Sequence, residues 1–364
     1  SLLSKMNSSK PLSYPSIGSI LQHLKPDKKF QLSQQCRTIT SIDKSRPLYL
    51  KSLKLNENSI KLNGTTYELN VIENSLKPRA FPYDVNSQGS IDLEMVVPDQ
   101  EQEQEILVDD RTDNPTSYNE QRISRADLKN APSSSYTHYI RFSVGNHSEQ
   151  LQYNERKLHD AMKYLIDKLL GGRPTIKARQ FCVENSGILR IPRHLKIRAK
   201  VVQLNGLIRE KLLNATQHLL DIKSLPLSGV IISDPLMNAP NLDIDFIQTA
   251  EMLLLYCEVI SGEGLLKVRH KRVYINAYLY DATFRLFEDW MEHGREVGTH
   301  FSFAMRNEGN IIDVLDKIRI NYNVEEGTAE NQLTIHINNF TDIVVSHKVD
   351  TWILEYKVQQ REVM

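Results

Sequence analysis

The chain has 364 residues, 45 Lys+Arg against 45 Asp+Glu, with 40% hydrophobic and 25% charged residues, a balance that predicts a globular protein of two or three domains with a sizeable core of its own. No apolar run approaches the ~20 residues that span a bilayer, and Ser1-Leu2-Leu3-Ser4-Lys5 has no signal-peptide layout. The cysteines Cys36, Cys182 and Cys257 are few and far apart, so no disulfide framework is expected and a cytoplasmic or nuclear setting fits.

Residues 10–50 read as a small helical unit. Ile17, Ile20, Leu21 and Leu24 have helical i, i+3, i+4, i+7 spacing. A second periodic stretch follows Pro26-Asp27, with Asp27 as its expected N-cap, and runs through Phe30, Leu32, Cys36, Ile39 and Ile42. The apolar side chains Leu12, Tyr14, Pro15, Ile17, Ile20, Leu21 and Leu24 exceed what so short a unit hides within itself. They point either to a partner or to packing on the next segment. Over residues 51–87 the period changes to two. Ile60, Leu62 and then Tyr67, Leu69, Val71 flank Asn63-Gly64, the pattern of a β-hairpin.

Residues 88–135 break the pattern. The run Gln100–Glu105 alternates Gln and Glu, and Pro115, Pro132 and Ser133–Ser135 follow. Too little apolar content is present to offset ordering entropy, so a largely flexible acidic insertion is expected. Charge is segregated here: residues 92–113 hold 9 acids and 1 base, whereas residues 1–62 hold 11 bases and 3 acids and residues 171–200 hold 8 bases and 1 acid.

Residues 136–358 read as a mixed α/β domain. Leu158, Ala161, Met162, Leu165, Ile166, Leu169 and Leu170 make one face of a helix over 152–170, stopped by Gly171-Gly172. Short strand-like runs centre near Gln180, Val202, Ile231, Leu254, Tyr274 and Ser302, at intervals of 22, 29, 23, 20 and 28 residues. Helices are expected over Leu207–Leu220 and Asp281–Gly294, with Asp281 as a cap and Trp290 as a core anchor. The intervals fall in the leucine-rich-repeat range, although the usual consensus is absent and an ordinary non-repetitive sheet is the alternative. The tail alternates at Ile318, Ile320, Tyr322, Val324, at Leu333, Ile335, Ile337 and at Trp352, Leu354, Tyr356, Val358, which predicts terminal antiparallel strands.

The motifs of nucleotide, zinc-protease and serine-hydrolase chemistry are missing, and no catalytic, cofactor or metal site is expected. Asp243 and Asp245 read as solvated loop residues between the inward Leu242, Ile244 and Phe246. The sharpest electrostatic feature is the basic block Arg173, Lys177, Arg179, Arg190, Arg193, Lys196, Arg198 and Lys200. It suits an acidic partner, phosphates, the chain's own acidic segment or a charged solvent face. With Phe181 its only aromatic residue, nucleic acid is the weaker alternative.

The stretch Pro11-Leu12-Ser13-Tyr14-Pro15 through Leu24, then Pro26-Asp27, Phe30 and Cys36-Arg37, resembles a divergent F-box. It departs from that pattern in the separation of Leu12 from Pro15 and in lacking the Trp after Cys-Arg. Pro47–Leu53, Asn63–Tyr67, Asn86–Gly89, Ala161–Ile166, Leu170–Arg173, Arg190–Pro192 and Gly298–Phe303 resemble a nematode-expanded family of F-box-like proteins with an F-box-associated C-terminal domain of unknown function. The resemblance implies a short helical F-box-like N-terminus, a β-hairpin region and an irregular leucine-rich-repeat-like α/β domain ending in antiparallel strands. It also implies a non-catalytic substrate receptor. Leu12, Tyr14, Pro15, Ile17, Ile20, Leu21 and Leu24 would dock on a Skp-type adaptor of a cullin ubiquitin ligase. The α/β domain, with the basic block, would hold a client, and removal of a toxic or foreign protein in the manner of an antidote fits such a family. A protein-interaction module without ligase coupling is the alternative.

Overall fold

The computed structural model describes residues 14–73, 80–81, 106–107, 138–145, 147–152, 157–185, 188–189, 191, 195–206, 208, 210–234, 242, 244–260, 262–279, 282–322, 324, 331–348 and 351–361. Three short helices open it: α1 (Tyr14–His23), α2 (Pro26–Gln35) and α3 (Arg37–Lys44). The periodic stretch after Pro26 is therefore two helices rather than one. Cys36 takes extended backbone at φ −143° between them, and the Thr40 hydroxyl donates to Ser33 O at 2.7 Å across the break. Helix α2 begins on Pro26 with Lys25 as its extended N-cap, so Asp27 is not the cap. Proline supplies the starting φ and lacks only an N–H that a first turn leaves unused.

Strands β1 (Leu48–Leu55), β2 (Ser59–Leu62), β3 (Thr65–Glu73) and β4 (Ala80–Phe81) follow. Asn63 and Gly64 make the β2–β3 turn at φ 55° and 125°. Most of the expected insertion at 88–135 lies outside the described residues. Its Ile106–Leu107 forms β5. Next come β6 (His138–Val144), β7 (His147–Gln152) and helix α4 (Leu158–Leu170).

The remaining elements run β8 (Ile176–Asn185), β9 (Ile188–Leu189), β10 (Ile197–Gly206), α5 (Glu210–Leu219), β11 (Gly229–Asp234), α6 (Asp245–Gln248), β12 (Met252–Val259), α7 (Gly262–Leu266), β13 (Arg272–Tyr278), α8 (Ala282–His293), β14 (His300–Ala304) and α9 (Glu308–Tyr322). The hairpins of β15 (Gln332–His336), β16 (Thr341–Lys348) and β17 (Ile353–Gln360) end the chain. One sheet joins nearly all strands, in the order β15-β16-β17-β14-β13-β12-β11-β10-β8-β1-β2-β3-β6-β7 with β4 on β3, while β5 and β9 pair separately. Its centre is parallel: β1, β8 and β10 to β14 lie side by side. The segments on either side of the expected insertion thus share one sheet.

The parallel strands stack equivalent residues. Leu53, Phe181, Val202, Val230, Leu253, Val273 and Phe301 are in register, as are Leu55, Val183, Leu204, Ile232, Leu255, Ile275 and Phe303. None is more than 3% exposed. At ~25 cal/mol per Å2 of apolar surface removed from water, these two ladders are a principal source of stability. Helix α8 covers one end of them. Trp290 stands edge-on to Phe301 at 5.0 Å and to Tyr356 at 6.0 Å, and the Tyr356 hydroxyl donates to Thr283 O at 3.2 Å.

The tail departs from expectation. Ile318, Ile320 and Tyr322 belong to helix α9 and not to a strand. Ile311, Val314, Leu315 and Ile318 are buried at helical spacing while Ile320 is 76% exposed, so the three-to-four-residue period prevails over the local alternation. β17 pairs antiparallel with β14, and Trp352 lies in the turn before it at φ 47°. No helix among the described residues is long and apolar enough to cross a membrane.

Candidate functional site

Two surfaces stand out, one on the helical head and one on the open face of the sheet. On α1, Leu21 is buried while Ile20 is 46% exposed and Ile17 and Leu24 are half-buried. Helix α1 packs on α3; Leu21 lies on its buried face, and Ile20, about 100° further around the helix, lies on its exposed flank. Gly18 is buried because the Arg46 side chain crosses α1 there, where a Cβ would fall on its guanidinium. Tyr14 and Pro15 open α1, but their side chains, like Leu12, lie outside the described residues.

The head is fastened to the body by Arg173. Its guanidinium pairs with the Asp43 carboxylate, donates to Asp43 O at 2.9 Å and donates from Nε to Leu169 O at 3.3 Å. The Lys44 ammonium adds a bond to Asp167 O at 3.3 Å. Burial lowers the nearby Lys29 pKa, with Asp43 opposing and Arg173 adding to the shift.

The basic block divides by role. Arg173 is engaged with Asp43. Arg198 donates to Asp221 at 2.8 Å, where a backbone bond from Lys223, followed by the Arg198 side chain, holds the carboxyl below its ordinary range against the effect of burial. Lys196 donates to His218 O. Lys177 lies over the Tyr49 ring at 5.1 Å. Arg179 and Lys200 are exposed, and Arg190 and Arg193 lie outside the described residues. Asp243 also lies outside them, and Asp245 is exposed at the start of α6 beside buried Ile244 and Phe246.

The open face has an apolar centre that the sequence reading missed. Ile231, Leu254 and Tyr274 are cross-strand neighbours pointing away from the ladders, and Tyr256 beside them stands 5.8 Å from Tyr274. Burial, then Tyr256, raises the Tyr274 pKa. Polar side chains rim this centre. On one flank Gln180 donates to Gln203 at 2.5 Å, Gln203 to Asn205 at 3.0 Å and Asn205 to Cys182 Sγ at 3.5 Å. On the other, Glu355 receives Lys357 at 2.7 Å and Lys348 at 3.1 Å, with His300 at 3.6 Å. Burial opposes ionisation of Glu355, but the two lysines outweigh it and hold its carboxyl below the usual range. An apolar, aromatic centre inside a polar rim is the anatomy of a protein-binding patch. The signal in the sequence was the loss of alternation: Val230–Ile232 and Met252–Cys257 are unbroken apolar runs, as strands apolar on both faces give.

Burial pushes the Cys182 and Cys257 thiols up to about 11, which keeps them protonated and unreactive. Beyond the carboxyl ends of β13 and β14 lies an open cleft lined by Tyr278, Met305, Arg306, Asn310, Asp313 and Lys317. In it the Arg306 guanidinium stacks on Tyr278 at 4.1 Å.

A family profile described as a domain of unknown function (DUF3557) matches residues 157–307, the span from the residue before α4 to the one before α9. No curated protein and no solved structure matches the chain.

Proposed function

We propose that the protein is a non-catalytic receptor that brings a client protein to a Skp-type adaptor of a cullin ubiquitin ligase. The observation that carries this reading is the two-sided α1. Leu21 secures the helix to its own unit, while Ile20 stays 46% exposed on the flank with Ile17 and Leu24 half-buried. An isoleucine left in water on a helix whose other face is packed suits an interface in which a few apolar anchors dominate affinity. The buried Arg173–Asp43 pair supports the reading because it ties the head to the body, so a client held on the open face would be presented in a fixed relation to whatever binds α1. The client surface in this account is the centre formed by Ile231, Leu254, Tyr256 and Tyr274.

Co-purification tests the proposal. The wild-type chain should retain a Skp-type adaptor, and Ile20→Asp should lose it, because an unpaired carboxylate buried in an apolar interface costs several kcal/mol. Adaptor retention by a folded Ile20→Asp protein would reject the α1 docking face. No adaptor on the wild-type protein would favour the uncoupled interaction module.

A further inference from the structure

Strands β1, β8 and β10 share a corner. Between the buried Leu50 and Leu53, Ala178 and Phe181, and Ala199 and Val202, two consecutive residues turn away from the core. The first of each pair is basic: Lys51, Arg179 and Lys200. Register places them at matching positions on the three adjacent strands, about 4.8 Å apart from strand to strand. In β1 the corner is held by Asn63, whose Oδ1 accepts from Lys51 N at 2.6 Å and Ser52 N at 3.2 Å.

All three side chains are exposed, and none has an acidic partner among the described residues. Two cations on the same strands are paired: Lys54 with Glu184 at 2.6 Å and Arg198 with Asp221 at 2.8 Å. Like charges opposite one another destabilise a sheet. Edge protection does not account for them, since β8 and β10 are interior strands. Of the chain's own acidic segment, only Ile106 and Leu107 are described. They pair with Ile188–Leu189 and contact α5, and α5 buries Leu212, Leu213 and Leu219 in the core on the opposite side of the sheet from the three cations.

We propose that Lys51, Arg179 and Lys200 form a docking ladder for an extended acidic segment of the client. Same-side residues of an extended chain repeat at about 6.8 Å, so a segment crossing the strands sets two carboxylates within the roughly 9.6 Å of the ladder. Tyr49 beside it is engaged by Lys177, and one tyrosine offers no succession of platforms on which bases could stack. The proposal extends the client surface from the apolar centre toward β1. It rests on the receptor reading for the word client, but its test needs no adaptor.

The test is fluorescence anisotropy of the full chain with a labelled ten-residue peptide of alternating Glu and Gln at low salt. The wild-type protein should bind, more weakly as salt rises. The triple variant Lys51→Gln, Arg179→Gln, Lys200→Gln should bind at least about tenfold more weakly with its Tm unchanged or raised, because like-charge repulsion has been removed. The charge-keeping variant Lys51→Arg, Arg179→Lys, Lys200→Arg should retain binding. Absence of binding both by the wild-type protein and by its Asp99→Asn, Glu101→Gln, Glu103→Gln, Glu105→Gln variant, or equal binding by the triple Gln variant, would overturn the ladder. Oligothymidylate binding as tight as the peptide would replace the acidic segment with a general polyanion. Binding seen only after Asp99→Asn, Glu101→Gln, Glu103→Gln and Glu105→Gln would make the chain's own segment the occupant.

Discussion

Arg173 and Asp43 lie 130 residues apart in the chain and meet in an ion pair in which each side chain is 7% exposed. Removing one partner of such a pair leaves the other charge buried and uncompensated. Arg173→Ala should therefore destabilise the protein by about 3–5 kcal/mol, read as a lower urea midpoint. Replacing both as Arg173→Met with Asp43→Leu should cost less than the single change. A double variant as unstable as Arg173→Ala would mean that the bonds to Asp43 O and Leu169 O, and not the charge pair, hold the joint.

His270 gives the stability a pH dependence. It is 4% exposed, and its Nε2 lies 2.6 Å from Ile247 O. Burial lowers its pKa against the effect of that bond. The unfolded chain thus takes up the proton first, near the ordinary histidine value of about 6.5. The contribution of neutral His270 is present above that value. It is lost as pH falls toward the folded-state pKa, with a slope of up to about 1.4 kcal/mol per pH unit. Urea midpoints at pH 7.5, 6.5 and 5.5 should show this fall, and His270→Gln should flatten it. An unchanged slope in the variant would assign the acid sensitivity to other groups.

Asn63 serves the turn and the β1 corner together. Asn63→Ala forfeits the acceptor for Lys51 N and Ser52 N and places a Cβ residue without a local hydrogen bond at φ 55°. A loss of about 1–2 kcal/mol is expected by denaturation, with Asn63→Gly milder because glycine accepts that backbone freely.

The parallel strands of the sheet were legible because short apolar runs mark each of them. The interval from Ile231 to Leu254 to Tyr274 follows directly from strand register, and these strands hold matching positions in the sheet. Asn63-Gly64 was equally readable, since its turn needs positive φ at both positions. The break at Cys36 was not, because apolar spacing continues across it and the stop depends on Thr40 reaching Ser33 O. At Ile318–Tyr322 two periods coincided over too few residues for alternation to decide. Strand β16 escaped notice because Ile343, Val344 and Val345 are all buried and do not alternate. Charge density marked the basic block, but only the fold shows that Arg173 and Arg198 are engaged and that Lys51, from a distant part of the chain, lines up with Arg179 and Lys200.

The open face can be tested apart from the head. Leu254→Asp with Tyr256→Ala should change global stability by no more than about 1 kcal/mol, as befits partly exposed positions. It should abolish client capture in proximity labelling while adaptor co-purification persists. Loss of both partners would show that the two surfaces are not independent.

The most direct measurement for the receptor account is titration calorimetry of the full chain with a purified Skp-type adaptor. The account predicts one-to-one binding that Ile20→Asp abolishes while its urea midpoint stays at the wild-type value. A folded wild-type chain that gives no binding, or an Ile20→Asp chain that binds equally well, would contradict it.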